Sequence, residues 1–220
     1  MYTHFACADE TDKSSTLEQF SRFMAAVAAS GGRESLTLHC ANSSAIIDLP
    51  QTHLDMVRPG IAMYGYQPSD EMHNRLPLRP ILRLTGTLMQ IKTLPAGSRC
   101  GYGLEHAFRR DSRVGLVPIG YADGYFRCLW TRSRNGDVAT SPAVMRVAGR
   151  NAPICGRVSM DQTIIDLTDM PQAHVGDEVE IYSNDPSAPN SVENLARLAG
   201  TIPYELTCCL GRRVRRKLVD

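Results

Sequence analysis

Leu36-Thr37-Leu38-His39-Cys40 reads as a short strand, and Asn42 with Ser43 just after it can start a helical turn. Upstream, Ser14-Ser15-Thr16 opens a helix in which Ser15 and Glu18 stand at capping-box spacing. Apolar residues follow at Leu17, Phe20, Phe23, Met24 and Val27, and Gly31-Gly32 stops the helix. Downstream, Val57 to Tyr64 reads as strand again. This strand–helix–strand rhythm over roughly the first 75 residues is the grammar of a parallel α/β unit. It is too short to close as a domain, since a complete (β/α)8 barrel takes roughly 250 residues. The stretch is therefore read as the C-terminal remnant of a larger barrel.

From about Leu78 the pattern changes to β-type runs broken by turn residues: Ile81–Leu94, Arg113–Ile119, Val144–Val147, Ala152–Val158, Thr163–Leu167 and Glu178–Tyr182. A single helix interrupts them, from Ser191 as cap, through Glu193 in its first turn, to Gly200 as stop. The expected fold class is α/β plus β: a barrel remnant over residues 1–78, then a mainly antiparallel β domain over 79–220.

Composition narrows the partners. The 220 residues are 43% hydrophobic and 21% charged, as in a globular protein with a real core. A net charge of +1 gives no reason to expect nucleic acid or an anionic membrane. The basic run Arg212-Arg213-Val214-Arg215-Arg216-Lys217 lacks interleaved aromatics and is read as a solvated chain end. Seven cysteines, none in a CxxC arrangement, suit reduced thiols better than disulfides or a zinc site. Asp9, Glu10 and Asp12 read against a secretory leader, so the expected location is the cytoplasm.

Four clusters could carry chemistry, and each has a plainer reading. His4, in Thr3-His4-Phe5-Ala6-Cys7-Ala8-Asp9, sits at the end of a strand, where histidine is more often structural. His39-Cys40-Ala41-Asn42-Ser43 runs from a strand into small polar residues, a geometry that offers backbone N–H groups to a phosphate. Val57-Arg58-Pro59-Gly60-Ile61 ends a strand on an arginine that could equally be salt-bridged. Gly101-Tyr102-Gly103 usually marks only a tight turn.

In order, these clusters are far more specific. Thr3–Glu10 (THFACADE), His39–Ser43 (HCANS), Asp55–Gly65 (DMVRPGIAMYG), GYG at 101–103, Ile119–Tyr125 (IGYADGY), Ile154–Gln162 (ICGRVSMDQ) and Pro203–Leu206 (PYEL) together resemble the alanine racemases. The likeness runs from Thr3 to the C-terminus. It implies an isomerase that interconverts L- and D-alanine by two-base pyridoxal 5'-phosphate chemistry, supplies D-alanine to peptidoglycan, and works as a homodimer with shared active sites. Tyr102 matches the tyrosine that exchanges the α-proton on the face opposite the cofactor lysine, with His4 and Arg58 around it. An ordinary phenol, of reference pKa about 10, is a poor base near neutrality, and a nearby cation favours its ionised form. The resemblance also places Arg58 against the pyridine nitrogen of the cofactor. The phosphate falls to Asn42, Ser43, Gly60, Ile61 and Tyr204, and the substrate to Tyr102, Met160 and Asp161. Tyr121, Arg127 and Arg157 match the entry channel, each also readable as an ordinary surface contact. No metal is implied.

One block of that family has no match here: the lysine followed by Ala-Asn-Ala-Tyr-Gly-His-Gly. The lysines of this chain are Lys13, Lys92 and Lys217, none in that context. The lysine holds the cofactor and is the second base, so the chain alone is expected to be inactive. A racemase of the same fold acting on serine or other small amino acids is the nearest rival. A non-catalytic truncated chain is a second. A decarboxylase sharing the plan is disfavoured, because Cys155-Gly156-Arg157 does not supply its cysteine–aspartate pair.

Overall fold

Helix α1 (Ser14–Ala29) starts on the side chain of Asp12, which accepts hydrogen bonds from the Ser14 N–H and hydroxyl, each at 2.9 Å. The expected capping box does not form; Glu18 pairs instead with Arg22 one turn on. The apolar face of α1 buries Phe23 and Val27 against Phe5, Ala8, Leu38, Cys40, Ala45 and Leu49. The chain leaves α1 through Gly31 at φ 97; Gly32 lies outside the described residues. The computed structural model describes residues 1–31, 33–130 and 143–219. They form two units, Met1–Ile81 and Leu82–Asp220.

In the first unit the parallel pairing is a single bridge between Tyr2 and His39. Leu36–Cys40 thus contributes one paired residue, because a parallel strand takes its ladder from its neighbours. Helix α2 (Ser43–Asp48) follows, with the Asn42 side chain accepting the Ala45 N–H at 3.0 Å. The expected strand over Val57–Tyr64 is absent. Its second half is a 3-10 turn, Ile61–Tyr64, closed by Gly65 at φ 84. Pro59 has no N–H to give a ladder, and the Gly60 and Ala62 N–H groups are drawn to the Ser43 hydroxyl instead.

In the second unit every strand ladder among the described residues is antiparallel, with one isolated parallel bridge between Ser183 and Ser191. Strands β1 (Leu84–Thr87), β2 (Gln90–Leu94), β3 (Arg99–Cys100), β4 (His106–Ala107), β5 (Ser112–Val117), β6 (Val144–Val147), β7 (Arg150–Pro153), β8 (Thr163–Asp166) and β9 (Glu178–Tyr182) form three sheets. Their orders are β1-β9-β6-β7, β2-β5-β8 and β3-β4. Gly115, opposite Ile165 in β8, leaves room for two leucines: a Cβ there would lie 2.6 Å from Leu88 and 2.7 Å from Leu167. Val117, Ile165, Leu167, Val179 and Ile181 complete the apolar interior. Helix α3 (Val192–Ala199) has the expected ends, with Ser191 accepting the Asn194 N–H at 3.2 Å and Gly200 left-handed at φ 70. A second helix, α4 (Pro203–Cys208), was not expected; Pro203 opens it, as proline suits a first turn. No helix among the described residues is long and apolar enough to cross a membrane.

Candidate functional site

Arg58 is the hub of the first unit. Its backbone N–H is fixed to the Ala41 carbonyl at 2.9 Å, so the side chain starts beside the end of the His39–Cys40 segment. The guanidinium then reaches His39 Nδ1 at 2.6 Å, the Thr3 carbonyl at 3.1 Å, His4 Nδ1 at 3.2 Å and the Cys40 carbonyl at 3.4 Å. Arginine only donates, so both Nδ1 atoms accept. Burial, then the Arg58 charge and the N-terminal ammonium, hold His39 below its ordinary value, which agrees with that assignment. Tyr2 lies flat on His39, 5.2 Å between centroids and 9° between planes, and its ring also faces the Arg58 guanidinium at 5.4 Å. The planar cation is therefore held by hydrogen bonds at its edge and an aromatic face beside it.

Next to this hub, buried Ser43 gathers the Gly60 N–H at 2.8 Å and the Ala62 N–H at 3.4 Å on its hydroxyl oxygen. Accepting both bonds leaves the Ser43 hydroxyl its own proton to donate, and the Ile61 N–H, first of its turn, has no intrahelical acceptor. A Cβ at Gly60 would come into ordinary contact with the Ser43 hydroxyl at 3.8 Å. A small neutral cradle beside a fixed guanidinium fits a phosphate and an aromatic ring nitrogen. Asn42 caps α2 with its own side chain.

In the second unit Tyr102 opens a 3-10 turn, Tyr102–Leu104, between Gly101 at φ 75 and Gly103 at φ 78, and is 66% exposed. The turn expected from the glycines is thus helical in part. Met160 and Asp161 lie against the Gly120–Gly124 loop, where Tyr121 and Ala122 N–H groups bond the Ser159 and Met160 carbonyls at 3.0 Å. Asp161 accepts from Arg213 at 2.7 Å, and Arg213 also bonds buried Asp123 at 2.9 Å. The basic tail is therefore not wholly solvated, contrary to expectation: Arg213 ties it to two carboxylates. Tyr204 sits half-buried in the first turn of α4. Tyr121 and Arg127 are exposed.

Gly120 makes this packing possible. A Cβ there would fall 2.2 Å from the Ser159 carbonyl and 2.3 Å from that of Met160. Gly120→Ala is expected to cost about 1–3 kcal/mol by overpacking and to shift the Met160 methyl resonance; a spectrum and melting curve like the wild type would contradict this.

Unit by unit, the structure brings Arg58, His4, Ser43 and Gly60 together in the first. Tyr102, Met160, Asp161 and Tyr204 belong to the second. Sequence reading gave no role to His39 or Tyr2, although both stand in or beside the quoted runs. Of the three lysines, Lys13 is buried, bonding the Ala8 and Glu10 carbonyls and Asp48, while Lys92 and Lys217 are exposed. Cys155 is buried, and burial drives its thiol far up, so it packs rather than reacts. Among the described residues no cluster could hold a metal ion.

Comparison with known proteins adds a family. Residues 1–68 match the family model "Alanine racemase, N-terminal domain", and residues 81–218 match "Alanine racemase, C-terminal domain". Alanine racemase of Desulfovibrio desulfuricans is 44% identical over 223 residues, covering 100% of the chain and 56% of that relative. The enzyme of Halothermothrix orenii is 40% identical, covering 99% of the chain and 55% of the relative. Among solved structures, alanine racemase from Streptomyces lavendulae superposes with TM-score 0.86 at 36% identity, covering 100% of the chain and 56% of its own. That from E. faecalis gives 0.85 at 35%, covering 98% and 55%. The chain spans a little over half the length of each.

Proposed function

Because the chain belongs to the alanine racemase family, we propose that it supplies the C-terminal portion of a pyridoxal-phosphate-dependent enzyme that interconverts L- and D-alanine. The product serves cell-wall peptidoglycan. Residues 1–78 carry the end of the (β/α)8 barrel and 79–220 the β domain. The observation that carries the reading is Arg58, fixed by two histidine Nδ1 atoms and two carbonyls beside the Ser43 cradle.

Ser43, Gly60 and Ile61 would hold the cofactor phosphate, with Asn42 shaping the helix start beside it; Tyr204, in the second unit, is assigned to the same phosphate by the family resemblance alone. When bound, pyridoxal phosphate supplies an electron sink for the pair left at the α-carbon. Arg58 would face the ring nitrogen and, unable to give up a proton, would leave it unprotonated, which favours return of the proton to the α-carbon over side reactions. His4 sits beside Arg58, and Tyr102 takes or returns the α-proton at its phenolic oxygen. The Met160 backbone receives the substrate carboxylate, with Asp161 held in place by Arg213. Tyr102 serves the site of a second subunit in a homodimer. All seven cysteines are free, in keeping with a reducing cytoplasm.

Lysine is the missing partner, so activity depends on residues outside this chain. The 220-residue chain with added cofactor is expected to form no D-alanine, whereas a fusion to the lysine-bearing segment of the Desulfovibrio relative is expected to racemise alanine. Racemisation by the chain alone would refute the dependence. A fusion that turned over serine much faster than alanine would overturn the substrate.

A further inference from the structure

Tyr102 rides on a loop with little to hold it. Gly101 and Gly103 have no side chains, and Leu104 is 56% exposed with its backbone at φ 49, an uncommon conformation for a branched residue. Tyr102 itself is two-thirds exposed. From outside the β3–β4 hairpin, two fastenings reach it, and both come from one dipeptide, Gly156-Arg157. At the loop's entry, Gly101 and Gly156 meet backbone to backbone: a Cβ on Gly101 would lie 3.1 Å from both Gly156 Cα and Arg157 N. At its exit, Arg157 grips Glu105 with both arms of its fork, Nε donating to Oε2 at 3.1 Å and the terminal nitrogen to Oε1. The Glu105 side chain is only 15% exposed, so the pair is shielded as an isolated surface ion pair is not. Arg99 adds a bond to the Leu104 carbonyl at 2.9 Å.

From this geometry we infer that Glu105 and Arg157 are positioning residues, a clamp that sets where the Tyr102 hydroxyl stands. The inference rests on the reading of Tyr102 as a proton-transfer group. It gives Arg157 a role different from lining a channel: its guanidinium is committed to Glu105, 52 residues away in sequence. Glu105 carries no recognisable motif and works only through that partner.

The test compares Glu105→Gln and Arg157→Lys with Asp169→Asn, which breaks an exposed arginine pair elsewhere on the unit. Amide exchange at residues 101–105 of the full chain is expected to quicken roughly 10-fold to 100-fold in Glu105→Gln, the scale of a lost charge-assisted bond. Arg157→Lys, which keeps the charge but not the fork, should fall between it and the wild type. Asp169→Asn should change nothing in the loop. In the lysine-complemented fusion, Glu105→Gln should lower kcat for alanine at least tenfold while KM stays within twofold. Unchanged loop exchange, or a loosened loop with undiminished kcat, would overturn the clamp. A wild-type fusion that failed to racemise alanine would count against the proposed function instead, leaving loop exchange to judge the clamp.

Discussion

Lys13→Met is expected to destabilise the chain by about 3–5 kcal/mol, the usual effect of removing one partner of a buried ion pair, read as the shift of a urea unfolding curve. The Lys13 ammonium, 8% exposed, lies 3.0 Å from the fully buried carboxylate of Asp48. It also bonds the Ala8 carbonyl at 2.9 Å and the Glu10 carbonyl at 2.5 Å. Asp48 meanwhile accepts the His73 N–H at 3.0 Å and the Asn74 N–H at 2.9 Å. The pair thus joins the segment after His4, the end of α2 and the 73–74 turn. Methionine fills the lysine's volume but leaves a carboxylate without its cation. Pairing Lys13→Met with Asp48→Leu should not restore stability, because two backbone N–H groups and two carbonyls then lose their partners, each loss costing about 1–3 kcal/mol. A double variant as stable as wild type would show that packing, not the polar network, holds this corner.

The same network sets an acid limit. Burial disfavours the Asp48 carboxylate, but the His73 N–H, Lys13 and Asn74 together outweigh it and hold Asp48 below the ordinary range. A depressed carboxyl contributes stability above its unfolded value, near 4, and loses it as pH falls through the folded value. His39 acts in the same direction from a higher pH. Below about 6.5 the unfolded chain takes up a proton that the folded imidazole resists, so stability declines with acid until the folded ring protonates too.

Local signals in the sequence carried the elements whose causes are local. The ends of α3 are such a case: Ser191 and Gly200 fix them through bonds spanning a few residues. The antiparallel plan of the second unit was legible for the same reason, in β-type runs punctuated by turns. Val57–Tyr64 was misread because its apolar residues suit a strand, while its fold is decided by Ser43, 17 residues upstream of Gly60. Helix α4 hid behind a proline that usually argues against helix. The pairs that brace each unit from within, Lys13 with Asp48 in the first, and Arg213 with Asp123 and Asp161 and Glu105 with Arg157 in the second, left no trace, since charge pairing across 35 to 90 residues has no periodicity to betray it. His39 was visible as a residue and invisible as an acceptor, because its role exists only where Arg58 reaches it.

Arg58→Lys tests that arrangement, and its effect on turnover is expected to be the largest of any single substitution proposed. A lysine keeps the charge but carries three donors on one point, where the planar fork of Arg58 serves four acceptors spread over two chain segments, 3–4 and 39–40. Its shorter, flexible stem cannot lie against the Tyr2 ring while reaching both His4 and His39. In the lysine-complemented fusion, kcat for alanine should fall by a factor on the order of 100 or more, as when a group held for the reacting centre is misplaced. With pyridoxal phosphate bound, a lysine here would be able to lend a proton to the ring nitrogen, which arginine does not, so a fraction of the alanine would leave as pyruvate with its amino group kept by the cofactor. Pyruvate release per racemisation event is the sensitive readout, because it isolates the electronic role of Arg58 from its part in holding the fold. Slower racemisation with no rise in that ratio would mean that Arg58 orients its neighbours without tuning the ring. An unchanged rate would remove it from the site.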